Sequence, residues 1–363
     1  MEWLNQALKS ILNTLSDPSI FFTLSTIAWI FMFKYYRSWT KPNVIKPILW
    51  FSIILLIWAL FDHNFFIQAS KPDNIPIWLM LYGTGLVTWI AFRRAALNDA
   101  RIEKGLPTIE KEESDQKVYT WPDLVYSELI CIVVGLAFLF VWAIIFKAPL
   151  EPPANIGVTP NPAKAPWYFL GLQEMLVYFD PWIAGVVMPG LIVVGLVGLP
   201  YFDKNPKGNG YYTVKERPYA IWVFCYGFLV LWIALIFLGT FLRGPSWNAF
   251  GPFEYWDSHK VLVMNNVNLS EFFWVKMLNV GLPSNILIRE SLGFIIVLVY
   301  FAVLPPLLAI TVLKTMYNKL GFTRYNIVIF LALTMISLPV KMYLRWLINL
   351  KYIIAIPEFM FNV

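Results

Sequence analysis

The sequence predicts an all-α membrane protein, a polytopic bundle of about eight transmembrane helices. The first observation is composition, because 59% of the 363 residues are hydrophobic, only 14% are charged, and the mean hydropathy is +0.62. Soluble domains carry about 25% charged residues. The second observation is the length of the apolar runs, and the third is the placement of Lys and Arg between them.

Eight apolar runs approach the roughly 20 residues that a helix needs to cross a bilayer. They cover residues 20–33, 47–66, 75–92, 130–146, 182–201, 221–241, 292–313 and 327–344. The first run is short, and we expect it to extend to Tyr36. Residues 1–17 are typical of an amphipathic helix on the membrane surface. They lack a basic segment before an apolar one and so do not match a cleavable signal.

The basic residues predict the orientation of the bundle. Most of the 28 Lys and Arg residues follow odd-numbered runs, as at Lys34, Arg93 and Lys204. Loops rich in Lys and Arg stay on the cytoplasmic side. We therefore expect both termini on the outer, positive side of a multi-pass protein of the bacterial cell (inner) membrane. Because these charges lie between apolar runs, they indicate membrane topology and not a nucleic-acid surface.

The chain is expected to divide into four parts. Residues 1–98 form an N-terminal three-helix block, and residues 99–123 form a charged inner linker. Residues 124–245 form a second three-helix block with a long outer loop. Residues 246–363 begin with a second long loop, rich in aromatic residues and Asn, and end with two helices. Long loops in a compact protein are usually functional, so both outer loops are candidate sites.

Several short motifs in the second block resemble one family. Trp121-Pro122-Asp123 opens the block, and Leu150-Glu151-Pro152 and Thr159-Pro160 follow. The segment Ala165-Pro166-Trp167-Tyr168-Phe169 comes next. In this order and at these expected depths in the membrane, the motifs resemble those of subunit IV of the cytochrome b6-f complex, equivalently the C-terminal domain of cytochrome b. The resemblance covers about residues 118–245.

The resemblance implies a quinol:acceptor oxidoreductase, with quinone or menaquinone as substrate, in which quinol is oxidised near the outer face. One electron then passes to an iron–sulfur or c-type acceptor and the other to b-type haems. Two transmembrane haems need four axial histidines, and this chain has only His63 and His259. It also lacks a metal-binding motif; its two cysteines, Cys131 and Cys225, lie in apolar runs. The expected partners are a haem-bearing cytochrome b subunit and a Rieske or multihaem cytochrome c subunit, and no activity is expected alone.

The resemblance also indicates where quinol would bind, and it contains one departure. The family motif has Glu where this chain has Pro166, which cannot accept a proton. The candidate quinol-binding residues are Pro166, Trp167, Tyr168, Phe169 and Glu151. Glu174 is the candidate proton acceptor, because it follows Trp167 by seven positions and would share its helix face. The alternatives are an aromatic belt for the three rings and a carboxylate in headgroup water for Glu174. Glu151 and Asp180 are weaker candidate acceptors.

At the inner face, Glu128 and Tyr126 are candidates for a second quinone contact. An ionisable residue inside a span is a functional hypothesis by default, although Glu128 could also extend into the headgroups. The aromatic loop, residues 242–291, is expected either to bind a partner subunit or to pack on its own bundle. Two other functions stay open: a structural scaffold without an active quinol site, which the missing Glu favours, and a transporter, which nearly uncharged span centres disfavour.

Overall fold

The structure is a computed structural model that describes residues 2–114, 117–148, 150, 153–157, 159–205, 210–260 and 266–363. Its helices are α1 (Glu2–Leu15), α2 (Pro18–Lys34), α3 (Tyr36–Trp39), α4 (Pro42–Leu60), α5 (His63–Ala69), α6 (Ile75–Glu103), α7 (Ile109–Glu113), α8 (Thr120–Ile145), α9 (Leu170–Met175), α10 (Ile183–Phe202), α11 (Pro218–Leu242), α12 (Ile286–Arg289), α13 (Ser291–Ile310), α14 (Lys314–Leu320) and α15 (Phe322–Ile348). Short helical turns cover Trp167–Phe169, Pro245–Trp247, Glu271–Met277 and Pro357–Phe359. One two-stranded antiparallel sheet joins β1 (Ala355–Ile356) to β2 (Phe361–Asn362).

The predicted membrane bundle is confirmed. Within the described residues, seven helices are long and apolar enough to span a bilayer, and the bent pair α1–α2 could supply an eighth. The two helices of this pair meet at 80°. Asp17 caps α2 at the bend by accepting a hydrogen bond from the Ser19 N–H at 3.0 Å. The side of the membrane on which the termini lie stays a prediction.

The predicted span over residues 47–66 is divided in the structure. Residues 47–66 were expected to form one helix, but α4 begins at Pro42 and ends at Leu60, and α5 starts at His63. Asp62 separates them because its carboxylate accepts a hydrogen bond from the Phe65 N–H at 3.0 Å and caps α5. The same carboxylate forms an ion pair with Lys9 at 2.6 Å, which fastens α1 to this corner.

The main core lies between α2, α6, α11 and α15, together with the residues that follow α9. Aromatic rings make up much of it: the Trp29 ring centroid is 4.3 Å from that of Trp222 and 4.7 Å from that of Tyr226. In contrast, α8 contributes nothing to this core, and none of its residues is buried. Within an apolar stretch of 18 residues in each helix, 44% of the residues are buried in α11 and 39% in α15.

The bundle has two chemically distinct ends. The terminal face comprises α1, the segment 161–182, the loop 243–260 and the chain end 349–363. These parts are joined by hydrogen bonds: the Phe253 N–H donates to the Asn13 side chain, and the Asn362 side chain donates to the Asp180 carboxylate. The basic face carries the connections after α2, α6 and α10. There the buried Asp99 accepts hydrogen bonds from the Tyr36 hydroxyl at 2.7 Å and the Val214 N–H at 3.1 Å. Both chain ends therefore lie at the same end of the bundle.

Candidate functional site

The segment from Pro166 to Phe169 lies on the terminal face and presents three exposed rings. Pro166 precedes a single turn, closed by the Phe169 N–H donating to the Pro166 carbonyl at 2.8 Å. Trp167, Tyr168 and Phe169 are 37%, 46% and 49% exposed. The centroids of Tyr168 and Phe169 lie 4.5 Å apart. We call Trp167, Tyr168 and Phe169 the aromatic turn.

The aromatic turn is fixed from both sides. On its N-terminal side, the Gln173 side chain accepts from the Ala165 N–H at 2.8 Å and donates to the Ala163 carbonyl at 2.7 Å. On its C-terminal side, α9 packs tightly on α11. A Cβ added at Gly239 would lie 3.3 Å from the Leu170 carbonyl oxygen, so glycine permits this close approach. The rings are thus exposed, but their backbone is held by defined contacts.

Glu174 anchors α9 through a buried ion pair with Arg243, at the end of α11. Arg243 donates to the two carboxylate oxygens from Nη2 at 2.6 Å and from Nε at 3.0 Å. The Trp247 indole N–H donates at 3.1 Å and the Tyr178 hydroxyl at 3.3 Å. Glu174 is 0% exposed and Arg243 only 4%. Two-pronged arginine–carboxylate contacts are among the strongest polar contacts in proteins.

Electrostatics favours a charged Arg243 and a neutral Tyr178. Burial by itself lowers the pKa of Arg243, but attraction to Glu174 and the hydrogen bonds to it outweigh burial, so that pKa is raised. Burial raises the pKa of Tyr178 well above its usual range, and the adjacent Glu174 charge raises it further. Tyr178 therefore acts here as a hydrogen-bond donor, and the pair is a fixed electrostatic link between α9 and α11.

The environment of Glu174 differs from the one expected from sequence. It does not share an exposed face with Trp167, and its carboxylate is not in headgroup water, because Arg243, Trp247 and Tyr178 cover it. Arg243 was not predicted as a site residue. The sequence feature that could have indicated Arg243 is its position as a lone arginine two residues after the apolar run 221–241. Asp180 accepts a hydrogen bond from Asn362 at 2.8 Å, and Glu151 lies outside the described residues.

Lys164 is a second residue that sequence reasoning missed. Its Nζ donates to the Thr240 carbonyl at 2.6 Å and lies 4.7 Å from the centroid of the Trp256 ring. Lys71 approaches the same ring at 5.4 Å. Burial, with repulsion from Lys71 as a smaller cause, lowers the pKa of Lys164 to about 7. A lysine close to the aromatic turn is therefore poised to gain or lose a proton near neutral pH.

The aromatic loop packs largely on its own bundle. Phe250 is 4% exposed and Phe253 9%. The Phe253 ring lies 5.4 Å from Trp58 and 5.7 Å from Phe65, between centroids. Tyr255 and, to a smaller extent, Phe272 are exposed, at 76% and 37%. The own-bundle alternative therefore accounts for the buried rings of this loop.

The inner-face candidates are separate from this site. Tyr126 is 53% exposed near the start of α8, with its centroid 5.8 Å from that of Trp121, and Glu128 is also exposed. Neither makes a side-chain hydrogen bond to any other described residue. In the described part of the chain, no group of three or more His, Cys, Asp or Glu residues is arranged to hold a metal ion.

Comparison with known proteins confirms the resemblance. Residues 153–246 match the cytochrome b (C-terminal)/b6/petD family, a stretch that contains the aromatic turn, Glu174 and Arg243. The chain is 30% identical over 139 residues to the menaquinol:cytochrome c reductase cytochrome c subunit of Bacillus subtilis (strain 168). That alignment covers 34% of this chain and 51% of the relative, so the chain spans about half the length of the relative that it matches. No solved structure matches the chain significantly.

Proposed function

We propose that this chain is a membrane subunit of a quinol:acceptor oxidoreductase and that its aromatic turn forms part of the outer quinol-oxidation pocket. The supporting observation is one of position. The exposed rings of Trp167, Tyr168 and Phe169 lie inside the stretch that matches the cytochrome b C-terminal family. Small-molecule sites are mostly apolar and aromatic and are largely preformed, and the contacts of Gln173 and Glu174 hold this turn in place.

The haems in this proposal belong to a partner chain. With two histidines the chain cannot supply the four axial ligands of a transmembrane haem pair. The relative's name describes a reductase that connects menaquinol to cytochrome c. We extend that description to this chain: a haem-bearing cytochrome b subunit packs beside it, and a Rieske or multihaem cytochrome c subunit takes electrons on the terminal face.

Proton transfer is the demanding step, because Pro166 cannot accept a proton. Glu174 is the proposed acceptor, and Arg243 would have to release one carboxylate oxygen before Glu174 could act. If it never does so, the ion pair has only an anchoring role. That outcome would favour the second candidate function, a structural subunit without an active quinol site.

The test is menaquinol-dependent cytochrome c reduction by the purified complex. Trp167→Ala should lower the rate about tenfold, because a tenfold effect corresponds to about 1.4 kcal/mol, the order of magnitude of an aromatic contact that bound quinol would cover. Tyr255→Ala, at an exposed position on the same face, is the matched control. A complex without b-haem absorbance, or equal rates for both variants, would contradict the proposal.

Glu174→Gln separates the two candidate functions. The amide keeps the size of the side chain but cannot carry the proton. In the fraction that assembles with normal subunit content and b-haem absorbance, the first candidate predicts a loss of about 100-fold or more in rate. A fully active Glu174→Gln complex would exclude Glu174 as the acceptor. Insensitivity of the assembled complex to Trp167→Ala would then support the structural role.

A further inference from the structure

A groove runs along the seam between α10 and α15, outside the site described above. Its volume is about 870 Å3, within the range of about 300–1,000 Å3 that small-ligand sites occupy. Leu191, Val194 and Leu331 line the part nearer the middle of the two helices. Tyr201, Phe322 and Arg324 line the part near the helix ends. Val194 and Phe322 are 66% and 73% exposed, so the groove opens sideways.

Glycine creates the space. A Cβ added at Gly195 would lie 3.3 Å from the Leu331 side chain, and one added at Gly198 would lie 3.1 Å from the Phe202 ring. Larger residues at these positions would therefore occupy the seam. Because α10 and α15 are both long and apolar enough to span a membrane, we expect lipid to surround most of the groove.

The length of the groove fits a single leaflet. At about 1.5 Å per residue, the helix rises about 15 Å from Leu191 to Tyr201, half of the roughly 30 Å hydrocarbon thickness. Tyr201 is near the last residue of α10, and Arg324 is near the first of α15, so the polar end lies at the membrane surface on the basic face. An acyl chain that starts at this surface would extend about this far.

The polar end carries an oriented positive charge. The Arg324 Nε donates to the Tyr201 carbonyl at 3.1 Å, which fixes the guanidinium at the end of the groove. Its two terminal nitrogens have no hydrogen-bond partner among the described residues. Thr323 and Asn326 lie beside it along the groove. A planar guanidinium with free N–H groups is suited to two-pronged contact with a phosphate.

We propose that this groove binds an anionic phospholipid, with an acyl chain between α10 and α15 and the phosphate on Arg324. Charge complementarity selects this occupant. A quinone ring or its isoprenoid tail is uncharged and leaves Arg324 without a counter-charge. A partner helix, about 10 Å in diameter, would cover the guanidinium and leave a buried charge unpaired unless it placed a carboxylate at this point.

Native mass spectrometry of the purified complex tests the proposal. Phosphatidylglycerol and phosphatidylcholine with identical chains are titrated onto delipidated complex. We expect one tightly held phosphatidylglycerol per copy of this chain, with at least about tenfold preference over phosphatidylcholine, a difference of about 1.4 kcal/mol. Equal retention of the two lipids, or release of quinone from this site on extraction, would overturn the proposal.

Two variants locate the lipid. Arg324→Gln should abolish the preference for phosphatidylglycerol, whereas Lys314→Gln, an exposed basic residue outside the groove lining, should leave it unchanged. Gly195→Leu should expel the lipid by filling the seam. Gly190→Leu, on the same helix with nothing within 4 Å of the added Cβ, is its control. If Arg324→Gln and Lys314→Gln behave alike, the site is not at Arg324. The wild-type preference is decisive even if a variant does not assemble, and none of these outcomes depends on quinol oxidation.

Discussion

At the scale of single residues, the ion pair between Glu174 and Arg243 is the contact most sensitive to substitution. Both side chains are almost completely buried, so removing one partner leaves an uncompensated charge. Arg243→Ala should lower the free energy of unfolding by about 3–5 kcal/mol. Thermal unfolding of the detergent-solubilised chain measures this effect.

The control for this prediction is Arg37, which pairs with the exposed Glu103 on the basic face. Exposed pairs contribute little to stability, so Arg37→Gln should leave the unfolding temperature nearly unchanged. Replacing both members of the buried pair, as Glu174→Leu with Arg243→Met, should recover part of the loss because no charge stays unpaired. A double variant no more stable than Arg243→Ala would contradict this explanation.

Individual site residues show how far sequence reasoning reaches. The three aromatic residues after Pro166 could be named as candidates because they form a short local motif, whereas their single turn and their exposure came only from the structure. The surroundings of Glu174 were not predicted, because its partner Arg243 lies 69 residues away and no local periodicity connects the two. Lys164 was missed for the same reason: its environment comes from Thr240, Trp256 and Lys71, which are all distant in sequence.

At the scale of elements, the start of α13 packs directly on the C-terminal segment. A Cβ at Gly293 would collide with the Ile353 carbonyl oxygen and lie 2.9 Å from the Ile354 side chain. Gly293→Ala should therefore displace residues 349–363 and lower stability by about 1–3 kcal/mol. Faster hydrogen exchange at Ile354 and Val363, whose backbone groups bond to each other, would report the displacement. Gly190→Ala should exchange like the wild type, and equal exchange in both variants would exclude the close contact.

The helices themselves were largely predictable, whereas their ends were not. Apolar runs identify spans because a bilayer requires a continuous apolar length whatever the neighbouring helices are. Helix ends depend on single capping contacts, as where Asp62 interrupts the predicted run over residues 47–66 and caps α5. Polar caps and bends carry a weak sequence signal. The predicted helix boundaries therefore differ from the observed ones by several residues, whereas the number of spans was confirmed.

At the scale of the whole molecule, α8 differs from the other spans in having no buried residue. The family match begins at Pro153, shortly after α8 ends, and the aromatic turn follows within the same stretch. In the proposed complex, the haem-bearing subunit covers α8 and thereby encloses the quinol pocket from that side. A helix with no residue buried in its own chain provides a complete surface for such packing.

A photoreactive phenylalanine derivative can test this arrangement in the assembled complex. Phe140 on α8 and Phe51 on α4 are 72% and 68% exposed, which makes them a matched pair. The derivative at position 140 should cross-link to the haem-bearing polypeptide, because α8 borders the matched stretch, whereas the derivative at position 51 should label lipid. Cross-linking to protein from position 51 alone would place the partner against α4 and not against α8. Lipid labelling from both positions would mean that no subunit covers α8, and the proposed pocket would then lack its second wall.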